Sequence, residues 1–163
     1  MEEGKHWEQD FQKSFVEQGF ENKILRLYDT TNGFKGITNI CDFVYYSFPI
    51  IGFFELKSTL GPSLSFDRIT ESQWSGLLLR AKEKGAMPAI LIQYRDFQKA
   101  YLVHINELKK ILDSGKKSIN IKEAEQVGLD LRLLYKRTRC RLDCIQFIED
   151  LYMYWSKTSG IRI

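Results

Sequence analysis

The stretch Ile50-Ile51-Gly52-Phe53-Phe54-Glu55-Leu56-Lys57-Ser58 decides how this chain is read. β-Branched and aromatic residues dominate it, and two charged residues, two apart, interrupt an otherwise apolar run. That composition suits a β-strand, whose successive side chains point to opposite faces. Phe54 and Leu56 then share one face and suit a core, while Glu55 and Lys57 share the other. A similar run, Cys41 to Tyr46, lies just before it across Ser47-Phe48-Pro49, and the pair predicts an antiparallel hairpin. Asp42 in the earlier run stands 55 − 42 = 13 positions before Glu55, so such a hairpin sets the two carboxylates side by side.

Two carboxylates in a half-buried place repel each other, and a divalent cation between them removes that penalty. Oxygen donors alone suit magnesium, which keeps several waters for contact with substrate. An ammonium group beside the cation orients or deprotonates a water, or steadies charge on a phosphate. Asp42, Glu55 and Lys57 together therefore fit phosphodiester hydrolysis, and the backbone carbonyl of Leu56 is a further candidate metal ligand. Asp…Glu-x-Lys also arises by chance, as an exposed ion pair worth under about 1 kcal/mol. The apolar run around Glu55 and Lys57 favours the metal centre over that reading.

Outward from the hairpin, Lys5 to Glu17 predicts a helix with Trp7, Phe11 and Phe15 at every fourth position and Gly19 at its stop. Glu8 lies beside that apolar stripe and is a candidate further ligand, reached through water. Lys23 to Asp29 reads as a first strand, and Asp29 to Gly36 as a loop. Thr70 to Lys84 predicts a second helix, opened by a Thr70–Gln73 capping box. Ala89 to Tyr94 suits a central strand and Ala100 to His104 another, with Asn106 capping a short helix to Asp113. Alternation at Leu129, Leu131 and Leu133 suggests an edge strand, and Leu142 to Trp155 a last helix with Leu142, Ile145, Ile148 and Tyr152 inward. The order α-β-β-β-α-β-β plus C-terminal helices predicts an α/β fold, a mixed β-sheet flanked by helices.

The chain's 163 residues make one domain, and no apolar run reaches the roughly 18 residues that span a bilayer. An acidic, polar start and three cysteines point to the cytoplasm and to reduced thiols at Cys41, Cys140 and Cys144. Cys140 and Cys144, four apart, would meet if both lay on one helix. A net charge of +3 permits nucleic acid without demanding it, and Arg132, Lys136, Arg137, Arg139 and Arg141 crowd one short run. That run is either a solvated face or a stripe that neutralises phosphates. Lys35 near a loop tip and Arg68 after the active strand are further candidate DNA contacts beside Arg137 and Arg139. Tyr45, Tyr46, Phe48 and Phe53 serve core or dimer packing, or stack on bases.

These residues resemble the Asp…Glu-x-Lys nucleases of the restriction-endonuclease-like fold, and within them the RecU-type Holliday junction resolvases of Gram-positive bacteria and their phages. The resemblance runs through Asp42-Phe43, Gly52 to Thr59, Ile69-x-x-x-Gln73, Gly85 and the strand from Ala89. It continues more weakly through Lys117-Ser118-Ile119 and Arg141-Leu142-Asp143. It implies a homodimer that cuts opposed strands of a four-way junction with magnesium or manganese and no small-molecule cofactor. In it Asp42 and Glu55 are metal ligands and Lys57 activates water. Gln73 matches a glutamine near the site, and Glu8 the first-helix glutamate of archaeal resolvases. Three features depart from the family: the connection from Asn32 to Ile40 leaves no room for a long stalk, Ile40 stands where Thr is usual, and Tyr45 where Gly is usual. The basic N-terminal arm is also missing, and the short chain fits a phage version. A sequence-specific or repair endonuclease of the same fold, and a non-catalytic DNA-binding module, are the alternatives.

Overall fold

The computed structural model describes residues 2–28 and 38–158. The loop with Lys35, and most of the connection read as too short for a stalk, lie outside the described residues. The first helix, α1 (Glu2–Glu17), buries Trp7, Phe11 and Phe15 as one stripe. Gly19 ends it in the left-handed region at φ 79°, where the Phe20 amide donates to the Phe15 carbonyl at 2.8 Å.

Six strands follow into one sheet: β1 (Ile24–Arg26), β2 (Phe43–Ser47), β3 (Ile50–Thr59), β5 (Ala86–Tyr94), β6 (Lys99–His104) and β8 (Leu129–Asp130). Two short strands, β4 (Ser63–Ser65) and β7 (Ser118–Asn120), pair beside it, and β9 (Leu133–Lys136) and β10 (Arg139–Leu142) form a separate hairpin. The helices are α2 (Glu71–Arg80), α3 (Ile105–Asp113), α4 (Ile121–Val127) and α5 (Cys144–Thr158).

The sheet order is β1-β2-β3-β5-β6-β8. Only β3 and β5 run parallel, joined by the α2 crossover; the other neighbours are antiparallel, so the sheet is mixed as expected. β5 is buried along nearly its whole length, as its apolar run requires of a central strand. One face packs on α1, α5 and the β9–β10 hairpin, and the other on α2, α3, α4 and the β4–β7 pair. All three cysteines are buried and free.

Several boundaries differ from the sequence reading. The second helix ends at Arg80, and the chain turns through Gly85 at φ 81° before β5. The cap of α3 is His104, whose Nδ1 accepts from the Asn106 amide at 3.1 Å. The edge strand stops at Asp130, and Leu133 begins the hairpin. Cys140 lies on β10 and Cys144 opens α5, so the two share no helix. Leu142 is buried at the end of β10, while α5 turns Phe147, Leu151 and Trp155 inward and leaves Ile145 exposed. Alternation in Arg139-Cys140-Arg141-Leu142, charged out and apolar in, is the period-two signal of that strand.

Candidate active site

The β2–β3 pairing ends with Phe43 opposite Phe54, and the next step of the same register brings Asp42 opposite Glu55. Asp42 is held on both sides: its amide donates to Phe54 at 2.9 Å, and its carbonyl accepts from the Leu27 amide at 2.8 Å. Its Oδ2 accepts from the Leu56 amide at 2.8 Å, which pins the carboxylate against β3. Phe54 and Leu56 point into the α1 side of the core, so Glu55 and Lys57 emerge on the α2 side.

Glu55 is buried, with 4 % of its surface exposed. Its Oε1 receives two donors, Lys57 Nζ at 2.8 Å and Gln73 Nε2 at 2.7 Å. Gln73 makes both the helix cap and the contact to Glu55. Its Oε1 accepts from the Thr70 amide at 3.0 Å and Thr70 Oγ1 accepts from the Gln73 amide at 3.2 Å, closing the capping box. Its amide nitrogen remains for Glu55.

Burial pushes the Asp42 carboxyl up to about 8, with the Glu55 charge adding to the rise and the Leu56 amide and Lys57 opposing it. Burial raises Glu55 as well, against the pull of the Lys57 ammonium. One lysine does not balance a buried and a half-buried carboxylate, and this deficit of positive charge fits a divalent cation. Among the described residues no group of three or more His, Cys, Asp or Glu side chains closes into a cage. Two carboxylates completed by water and phosphate oxygens are what magnesium takes, so the donor set fits it. Asp42, Glu55 and the Leu56 carbonyl are the groups that would hold it.

Glu8 approaches from α1, close enough that its charge helps raise both carboxyls. It is engaged by Arg26, Nη2 to Oε2 at 2.6 Å. Arg26 also donates to Gln12 Oε1 at 3.1 Å and lies over the Tyr28 and Phe43 rings. Sequence reasoning passes over Arg26. Its signal is a cation inside the apolar strand Ile24-Leu25-Arg26-Leu27, which requires a partner once half-buried.

The candidate DNA contacts are dispersed. Arg68 is exposed at the end of the turn after β4, and its Nη1 donates to the Ser58 carbonyl at 2.6 Å. Arg137 stands exposed at the β9–β10 tip with φ 60°. Arg139 pairs with Asp10 at 2.7 Å, and Arg141 bridges Asp10 and Glu17 at 3.2 and 2.7 Å, so this part of the basic run clamps α1 to the hairpin. Tyr45 and Phe54 stack inside the core at 5.6 Å, Phe53 is half-buried under Arg80, and Tyr46 and Phe48 are exposed.

A mixed sheet whose hairpin gathers Asp, Glu and Lys on one helix-covered face defines the restriction-endonuclease-like class of nucleases. The fold is shared with Hjc, a Holliday junction resolvase of the archaeal hyperthermophile Archaeoglobus fulgidus, whose 1.6 Å structure matches with a TM-score of 0.51 at 13% identity, covering 75% of this chain and 94% of that one. The chain belongs to the RecU family, since the model for RecU, Recombination protein U, matches residues 30–150. None of the curated proteins matches it in sequence. The family places the chain among the nucleases of DNA recombination, and the expected fold and family are both borne out. Among the described residues no helix is long and apolar enough to cross a membrane.

Proposed function

We propose that this chain resolves Holliday junctions by hydrolysing phosphodiesters at the Asp42–Glu55–Lys57 centre with magnesium, for which manganese substitutes. The observation that carries the reading is the pair of carboxylates placed opposite each other in the hairpin register, Glu55 buried and Asp42 half-buried, with Lys57 2.8 Å from Glu55. Asp42, Glu55 and the Leu56 carbonyl hold the cation in this reading. When bound, the cation lowers the pKa of water and draws charge from a phosphoryl oxygen. Lys57, anchored on Glu55, orients the attacking water, and its ammonium offsets charge developing on the phosphorus oxygens. Gln73 keeps Glu55 aimed at the centre. Glu8, held by Arg26, is a partner reached through water. Lys35, Arg68, Arg137 and Arg139 are proposed DNA contacts, and Arg137 is the better placed of the hairpin pair because Arg139 is committed to Asp10.

Resolution takes two opposed cuts, and each chain has one such centre, so the acting unit is a two-fold homodimer on branched DNA. That substrate puts its work in the bacterial cytoplasm, and a phage-encoded protein would act there too. The deciding experiment compares wild type with Asp42→Asn and Glu55→Gln on four-way junction, flap and linear duplex, with and without magnesium. Paired symmetric nicks across the junction by wild type, and bound but uncut junction with either variant, are expected. Cleavage retained by the variants would end the reading; a defined nick in linear duplex would select a sequence-specific enzyme of the same fold instead.

A further inference from the structure

The β1–β2–β3 end of the sheet is well covered on one face only. On the α1 and α5 side, Ile24, Phe43, Tyr45, Ile50 and Phe54 join the core. On the other side α2 packs on β5 and leaves much of β1, β2 and β3 open among the described residues. There the register sets Leu25 opposite Val44 and Val44 opposite Phe53, one row across three strands, with Tyr46 opposite Ile51 in the next. Leu25 is 62% exposed, Tyr46 54% and Ile51 42%, while Val44 and Phe53 are half-buried. Residues two apart on a strand share a face, so Phe53 stands beside Glu55 and Val44 beside Asp42. The open rows therefore continue the catalytic row directly, at about 7 Å per step along the strands.

Neither row holds a charged side chain. Arg80 borders them, 5.9 Å from the Phe53 ring, and Lys23 is turned to Ser47 Oγ at 3.2 Å. Surfaces that grip DNA are polar and rich in cations, and base stacking needs aromatic rings, whereas Leu25, Val44 and Ile51 are aliphatic. With Phe48, 84% exposed in the turn beyond, these residues leave on the order of 500 Å² of apolar surface open, the size of the largest patches on monomers, which are often functional. It is also close to the apolar share of the roughly 800 Å² that each partner brings to a standard interface. β1 is the edge strand, so no further strand of the sheet overhangs the patch. A two-fold contact joins a patch to itself, and a shallow, uncharged sheet face permits that without setting like charges together.

We infer that this open face seats a second copy of the chain, with the two-fold axis passing through the Leu25–Val44–Phe53 and Tyr46–Ile51 rows. The inference rests on the proposed nuclease reading for its consequence: each catalytic centre lies at the rim of the interface, one row from the partner. Sedimentation equilibrium of the metal-free full chain over a concentration series tests it, with thermal melts to verify folding. Wild type should be a dimer, and Tyr46→Lys and Ile51→Lys should each weaken self-association roughly 100-fold by placing a charge in the centre of the contact. Leu134→Lys, which changes a 77% exposed leucine on β9, should leave the dimer intact. Leu25→Cys is a gentler probe. The three native cysteines are buried, so maleimide reaches the new thiol, and labelling should slow as the dimer forms. Monomeric wild type at every concentration, with and without junction DNA, would overturn the inference. So would a dimer that both lysine variants leave unchanged, or Leu25→Cys labelling that ignores concentration. A monomer whose junction affinity drops in Tyr46→Ser marks a base-stacking face instead. Junction cutting by wild type, lost in Asp42→Asn, is scored apart: a dimer that cuts nothing removes the nuclease reading alone, and a monomer that cuts removes this one alone.

Discussion

The two faces of the central sheet do opposite work, although β3 supplies both. Toward α1 and α5 it gives Phe54 and Leu56 to an aromatic core in which Phe11 meets Phe43 at 5.0 Å and Phe54 at 6.4 Å. Toward α2 it gives Glu55 and Lys57 to a layer otherwise built from Leu77, Ile90, Ile92 and their neighbours. The first face gains stability from nearly every side chain it buries. The second holds one buried and one half-buried carboxylate that it does not fully neutralise, a local cost expected where function outranks stability. A period-two strand can carry both demands because neighbouring residues never compete for the same face.

The contrast breaks most visibly at Asp42. Asp42→Asn should lower junction cleavage roughly 10⁴-fold, about 5 kcal/mol of barrier, in single-turnover assays. The same change should raise the melting temperature of the metal-free protein, since it replaces a carboxyl whose ionisation folding opposes and retains an oxygen for the Leu56 amide. On the other face the signs reverse: Phe11→Ala should cost about 3–5 kcal/mol in denaturant unfolding by emptying the centre of the ring cluster. A destabilising Asp42→Asn would mean that the carboxylate is balanced in some other way.

The pH dependence sharpens the same comparison. Folding raises the Asp42 carboxyl from 3.8 to about 8, so its folded state favours the protonated form. That contribution is complete below the unfolded value and is lost as pH rises through about 8. Metal-free protein should therefore melt lower at pH 9 than at pH 6, and Asp42→Asn should reduce the difference. Magnesium needs the ionised carboxylates, so its stabilising increment should grow over the same interval. Calorimetry in EDTA and in magnesium at both pH values checks the two together.

Much of this was legible in the sequence because the hairpin obeys a strict period of two and the site sits on it. Asp42, Glu55 and Lys57 could be placed on one face without coordinates. What escaped depended on contacts between distant segments. Nothing local in Asp10 or Glu17 announces that Arg139 and Arg141 will clamp them, so the sequence leaves the run between a solvated face and a phosphate-neutralising stripe and does not reveal the lock. Arg26 and Glu8 lie on different elements, and their pairing exists only once α1 crosses β1. The inward face of α5 was read one position off, because the hydrophobic count was started at Leu142 on β10: Ile148 and Tyr152 do pack against the core, but Ile145 is exposed and Cys144, Phe147, Leu151 and Trp155 are the fully buried residues.

The smallest expected effects separate the two jobs of Gln73. Thr70→Ala breaks the cap alone and should cost about 1 kcal/mol of stability, leaving the Gln73–Glu55 bond to form from an otherwise intact α2. Gln73→Ala removes both interactions. It should cost a similar amount of stability, since one reciprocal bond of the box is lost, and in addition lower the cleavage rate by about tenfold as Glu55 loses a donor that fixes its carboxylate. Unfolding free energy and single-turnover rate, measured on both variants, give two differences that need not move together. If Thr70→Ala slows cleavage as much as Gln73→Ala, the glutamine acts only by holding the helix, and the α2 side of the sheet contributes position rather than a donor to the centre.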